Sequence, residues 1–140
     1  MSEDLEPLIE AAKAARLQSV APFSNFAVGA AVRTASGKVY TGCNIESASY
    51  GLTVCAERVA IWKALSEGER QFSELAVVAD TQTLTPPCGT CRQIIWEFAR
   101  GATIVFANLG GERETFHIAD LLPRAFDARF LSKKATDDHA

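Results

Sequence analysis

Leu75-Ala76-Val77-Val78-Ala79 is an unbroken apolar run, and Thr103-Ile104-Val105-Phe106-Ala107 is a second one further along the chain. Short runs without polar alternation read as strands buried on both faces, which requires helices on both sides of a sheet. Between the two runs, Arg92 to Ala99 carries Ile94, Ile95, Trp96 and Phe98, the pattern of a helix. Upstream, Cys55 to Leu65 repeats that pattern with Val59, Ile61, Trp62 and Leu65, and Gly68 is a suitable stop. Val28 to Val32 and Val39 to Cys43 flank Thr34-Ala35-Ser36-Gly37, so they read as a hairpin. Residues 3–19 place Leu5, Leu8, Ile9, Ala12, Ala15 and Leu17 at near-helical spacing, and Ala21-Pro22 ends that first helix. Glu114 to Ile118 reads as a last strand. An opening hairpin followed by alternating strands and helices implies a three-layer α/β/α sandwich around a mixed five-stranded sheet.

No repeat, low-complexity tract or linker divides residues 1–140, so one domain is expected, with a polar, disordered tail from about residue 130. The 14 basic residues are scattered and the net charge is -3, which argues against a nucleic-acid polymer as partner. A small, neutral or weakly charged substrate suits that balance. No apolar run is long enough to span a bilayer, and Glu3, Asp4 and Glu6 oppose a signal-peptide reading. The expected compartment is the cytoplasm, where the four cysteines would be metal ligands or core residues rather than disulfides.

The chemistry concentrates in Cys55-Ala56-Glu57 and Pro87-Cys88-Gly89-Thr90-Cys91. Cys88 and Cys91 have the commonest zinc-chelating interval, although a C-x-x-C at a helix start also suits a redox dithiol. A third cysteine at another helix start favours metal, since helices after neighbouring strands can begin at one sheet edge. Three thiolates leave a fourth position open, the arrangement of catalytic rather than structural zinc. So much negative charge must be offset, and two helix N-termini would do this. Arg58, one turn from Cys55, is either a hydrogen-bond donor to thiolate or a surface cation. Glu57 is either a proton carrier beside the metal or a carboxylate stabilising a helix end, and spacing alone leaves both open. Cys43 reads as a small buried hydrophobe. Its rival role is fourth ligand of a closed zinc staple in a non-catalytic binding module. His117 and His139 have no partner at ligand spacing. Asn44 to Thr53 is a polar loop of functional length.

The ligand-x-Glu and P-C-x-x-C pair matches the general description of zinc nucleobase deaminases. More closely, the chain resembles the small homotetrameric zinc-dependent cytidine deaminases. The likeness runs through Ala21-Pro22-Phe23-Ser24-Asn25-Phe26-Ala27-Val28-Gly29, Gly42-Cys43-Asn44-Ile45-Glu46, Cys55-Ala56-Glu57-Arg58, Pro87-Cys88-Gly89-Thr90-Cys91-Arg92-Gln93 and Leu121-Leu122-Pro123-Arg124-Ala125-Phe126. That resemblance implies hydrolytic deamination of cytidine and 2′-deoxycytidine, with one Zn²⁺ per chain on Cys55, Cys88 and Cys91. Zinc-bound hydroxide would attack C4 while Glu57 protonates N3 and later carries a proton to departing ammonia. Asn44 and Glu46 would hold a ribose hydroxyl, Phe26 would pack on the base, and the Ala56 backbone would read the base edge. Tyr50 and Phe126 would reach a neighbouring subunit's substrate. Related substrates, including blasticidin S and 4-substituted cytidines, share the zinc motif and form the nearest alternative. Phe23 replaces a usual tyrosine, Pro86 a common serine, and Gly51-Leu52-Thr53-Val54 matches loosely, which bears on pocket width and tolerated base substituents.

Overall fold

The computed structural model describes residues 4–131. The expected tail therefore lies outside it from residue 132 on, with His139, while Phe130 closes a short 3-10 turn, Ala128–Phe130. Among the described residues, five strands form one sheet: β1 Val28–Thr34, β2 Val39–Cys43, β3 Phe72–Ala79, β4 Thr103–Ala107 and β5 Arg113–His117. Their order is β2-β1-β3-β4-β5. Only β3 and β4 pair in parallel, and the other neighbours are antiparallel, so the sheet is mixed as expected. The carboxyl ends of β2, β3 and β4 and the amino end of β1 consequently share one edge.

Alternation along the strands divides the core into two layers. Ala31, Ala76, Val78, Val105 and Ala107 face Leu8, Ile9 and Ala12 of α1 (Glu6–Arg16). Ala30, Val32, Leu75, Val77, Ile104 and Phe106 face the opposite layer. That layer is built from α2 (Ala56–Ser66), α3 (Gly89–Phe98) and the short α4 (Ile118–Leu121).

Three sequence expectations need correction. The first helix stops at Arg16, not at residue 19, because Val20 is drawn into extended pairing: its N–H donates to Asn44 O, and Glu46 N–H donates back to Val20 O. On α2 the face against the sheet is Ala56, Glu57, Ala60, Ile61 and Ala64, while Trp62 stays exposed under the Arg58 guanidinium. Alanines are used there because α2 lies almost on the β2 backbone. A Cβ on Gly42 would meet Ala56 O at 2.5 Å and Ala60 N at 2.6 Å. The third concerns connectivity. The helices carrying the cysteines follow β2 and β3, which are not neighbours, since β1 runs between them.

Candidate metal centre and adjoining cavity

Both cysteine segments end at the shared sheet edge as the residue just before a helix. Cys55 caps α2 and Cys88 caps α3, each with extended backbone, and Cys91 sits in the first turn of α3. The three Sγ atoms lie within 4.8 Å of one another, with Cys55 and Cys88 at 3.6 Å. Thiolates sharing a tetrahedral zinc with bonds of about 2.3 Å stand about 3.8 Å apart, so the donor set fits that ion. Two helix N-termini, each worth roughly +0.5 of an elementary charge, converge on the sulfurs. Arg58 Nη2 donates to Cys55 Sγ at 3.6 Å and to Thr53 O at 3.3 Å. A hydrogen bond from Cys91, followed by the Arg58 and Cys88 contacts, lowers the Cys55 thiol to about 5. The same bond, with burial and nearby Glu57, drives Cys91 upward. Cys43 is outside this triad.

Glu57, in the first turn of α2, is 4% exposed. Burial pushes its carboxyl up to about 7, against weaker stabilisation by Arg58 and by a hydrogen bond with Cys91. A helix-capping carboxylate would sit in water. Glu57 instead joins Cys55 and Cys88 in the wall of a cavity of about 250 Å³. A carboxyl that titrates near neutrality beside a metal can accept and return protons.

The pattern of the cytidine and deoxycytidylate deaminase zinc-binding region matches residues 2–107. The chain belongs to this family. A cytidine deaminase of Sporosarcina psychrophila is 50% identical over 133 residues, covering 94% of this chain and 98% of the relative. One from Halalkalibacterium halodurans is 48% identical over 130 residues, covering 92% and 98%. The crystal structure of cytidine deaminase from Burkholderia pseudomallei superposes with a TM-score of 0.85 at 48% identity, covering 89% of this chain and all of that one. The zinc implied by the family fits the cysteine triad.

The rest of the cavity comes from segments far apart in sequence. Phe26, Val28, Asn44, Glu46, Ala56, Val77 and Pro86 line it with the site residues. Of the residues expected near substrate, Phe26, Asn44, Glu46 and Ala56 are therefore together. Tyr50 and Phe126 are not. Tyr50 is 75% exposed and meets Phe23 edge-on at 6.0 Å in an outer cleft of about 380 Å³, which shares Ser24, Glu46 and Thr53 with the inner cavity. Phe126 is 58% exposed and stacks on Phe130 at 5.7 Å. Phe23 thus borders the outer cleft, whereas Pro86 borders the inner one; a Cβ on Gly51 would meet nothing within 4 Å. His117 is exposed at the end of β5, away from the triad.

The expected loop carries more structure than its polarity suggests, with a 3-10 turn at Tyr50–Leu52 and Ile45 bridging both Val20 and Val54. Thr53 was not singled out by sequence. Its Oγ1 accepts Ser47 N–H at 3.0 Å while its carbonyl holds Arg58, so it ties the loop to the metal helix. Nothing in an isolated threonine signals that role.

Proposed function

We propose that this chain is a zinc-dependent enzyme that hydrolyses the 4-amino group of cytidine and 2′-deoxycytidine, giving the uridines and ammonia. The observation that carries the reading is the placement of Glu57: a buried carboxyl in one cavity with two sulfurs of the triad. Cys55, Cys88 and Cys91 hold zinc, which when bound acts as a Lewis acid able to bring the pKa of a water ligand to about 7. Glu57 takes up a proton from the incoming water and delivers it to N3. The water oxygen bonds to C4 as N3 is protonated. Glu57 then takes the remaining proton from that oxygen and passes it to the exocyclic nitrogen, so that the C4–N bond breaks, ammonia leaves and C4=O remains. Arg58 supports the Cys55 thiolate. Phe26 packs beside the base, the Ala56 N–H at the start of α2 reads the base edge, and Asn44 with Glu46 binds a sugar hydroxyl.

Among the described residues, those lining the two cavities include no Lys or Arg, which favours a free nucleoside over a nucleotide, since phosphate sites use such cations. Tyr50 and Phe126 complete a neighbour's site in a cytoplasmic homotetramer. Their exposure away from the inner cavity is what supports that role, and light scattering tests it. The deciding experiment is an ultraviolet assay of the purified protein with cytidine, 2′-deoxycytidine, cytosine and blasticidin S, alongside metal analysis. Turnover of the two cytidines with one zinc per chain is expected. Blasticidin S turned over far above cytidine would overturn the substrate reading.

A further inference from the structure

Glu46 is held on three sides. Its Oε1 accepts the N–H groups of Phe23 at 2.9 Å and Ser24 at 3.0 Å, and its Oε2 accepts the Ser24 hydroxyl. The Ser24 oxygen itself accepts Phe26 N–H at 3.0 Å, so the single hydroxyl proton is committed to Glu46. Both oxygens of the carboxylate are thus oriented, and these contacts hold its pKa below the usual range, Ser24 most of all.

Asn44 is fixed with the opposite polarity. Its Oδ1 accepts Ser19 Oγ–H at 2.6 Å and Val28 N–H at 2.9 Å, so the amide nitrogen must point the other way. Nδ2 donates to Phe26 O at 2.7 Å and keeps one further N–H. The backbone of Phe26 therefore joins the two readers: its N–H engages the Ser24 side of the network and its carbonyl the Asn44 side. Both readers line the inner cavity, one offering a donor and the other an acceptor. A hydroxyl group, which needs one of each, is the ligand group that this pair suits.

We propose that Ser24 is a positioning residue for sugar recognition, acting through Glu46: its hydroxyl fixes the carboxylate so that the remaining lone pair of Oε2 meets the sugar hydroxyl beside the Asn44 amide. This rests on the nucleoside reading above. Without the Ser24 hydroxyl, Glu46 keeps the two backbone donors on Oε1 but Oε2 is free to swing toward the outer cleft, and Phe26 N–H loses its acceptor. Ser24 lies on the wall common to both cavities, where such a swing has room.

The test is kcat and KM for Ser24→Ala and Ser24→Thr on cytidine, 2′-deoxycytidine, 3′-deoxycytidine and 2′,3′-dideoxycytidine, with zinc content as the control for folding. Wild-type turnover of cytidine tests the nucleoside reading by itself. For the variants, Ser24→Ala is expected to lower kcat/KM about tenfold through KM, the size of a lost hydrogen bond to a charged group, on substrates bearing the recognised hydroxyl. The 2′,3′-dideoxy substrate should lose nothing, and Ser24→Thr should restore the wild-type pattern. The same contrast is expected in the Kd of uridine against 2′,3′-dideoxyuridine. An equal loss on all four substrates, no loss on any, or a Ser24→Thr variant as impaired as Ser24→Ala would overturn the proposal.

Discussion

Cys55 Sγ and Cys88 Sγ stand 3.6 Å apart, though 33 residues separate them in sequence and both are free thiols. The approach is set by two helix N-termini meeting at one sheet edge. Removing any one sulfur of the Cys55, Cys88 and Cys91 triad leaves two donors, too few for a stable tetrahedral zinc site. Cys88→Ser and Cys91→Ser should therefore purify with far less than one zinc per chain and without deaminase activity. Cys43→Ser should keep both, because Cys43 is outside the triad. Metal analysis of the three variants checks this; zinc loss in Cys43→Ser would revive the four-cysteine staple.

Glu57→Gln preserves shape and removes the titrating oxygen. Zinc should remain while kcat falls by about 10²–10⁴-fold, the usual contribution of positioned acid–base groups. Stopped activity with lost metal would show instead that the carboxylate supports the triad structurally, so both quantities are measured on one preparation.

The fold was legible where hydrophobicity is unconditional. The run Thr103–Ala107 coincides with β4, and Leu75–Ala79 lies inside β3, because strands covered on both faces must be apolar throughout. The convergence of Cys55, Cys88 and Cys91 was legible because chelation constrains spacing. Glu57 was not, since its aim depends on how deeply the N-terminus of α2 sinks beside Gly42, a tertiary fact. The α2 face failed for the same reason: alanines, not the larger Val59 and Trp62, are what fits against so close a strand. Ser19 and Ser24 were invisible as site-shaping residues because their partners, Asn44 and Glu46, lie more than twenty residues away.

Gly42 converts that close approach into a prediction. A Cβ there would press on Ala56 O at 2.5 Å and Val59 Cβ at 2.9 Å, and backbone cannot yield as a side chain can. Gly42→Ala should cost about 1–3 kcal/mol through overpacking. It should also weaken zinc binding, since the displaced turn carries Ala56 and Glu57 and follows Cys55 directly. Thermal melting and competitive zinc titration, compared with Gly37→Ala in an open turn, separate the helix displacement from a general glycine effect; Gly37 takes φ 92, so some loss of stability is expected there, without loss of zinc affinity.

Asp127 supplies a pH-dependent case. Its side chain is fully enclosed, with Oδ1 accepting Arg129 Nε at 2.8 Å and Arg129 N–H at 3.0 Å, and Oδ2 accepting Trp96 Nε1 at 2.9 Å. Arg100 approaches the same Oδ2 at 3.6 Å. These contacts, the Arg129 hydrogen bond foremost, hold its pKa well below the ordinary 3.8. A carboxylate depressed on folding stabilises the folded state fully above its unfolded pKa, and that contribution disappears as pH falls through the folded value. Asp127→Asn should thus lower Tm at about pH 7, and the gap to wild type should narrow toward about pH 3 and below as wild type loses the same contribution. Because Asp127 anchors the segment beside Phe126 to Trp96, the variant should also raise KM if Phe126 serves a neighbouring site. A Tm difference that stays constant across the acid range would show that shape, and not charge, is what Asp127 provides.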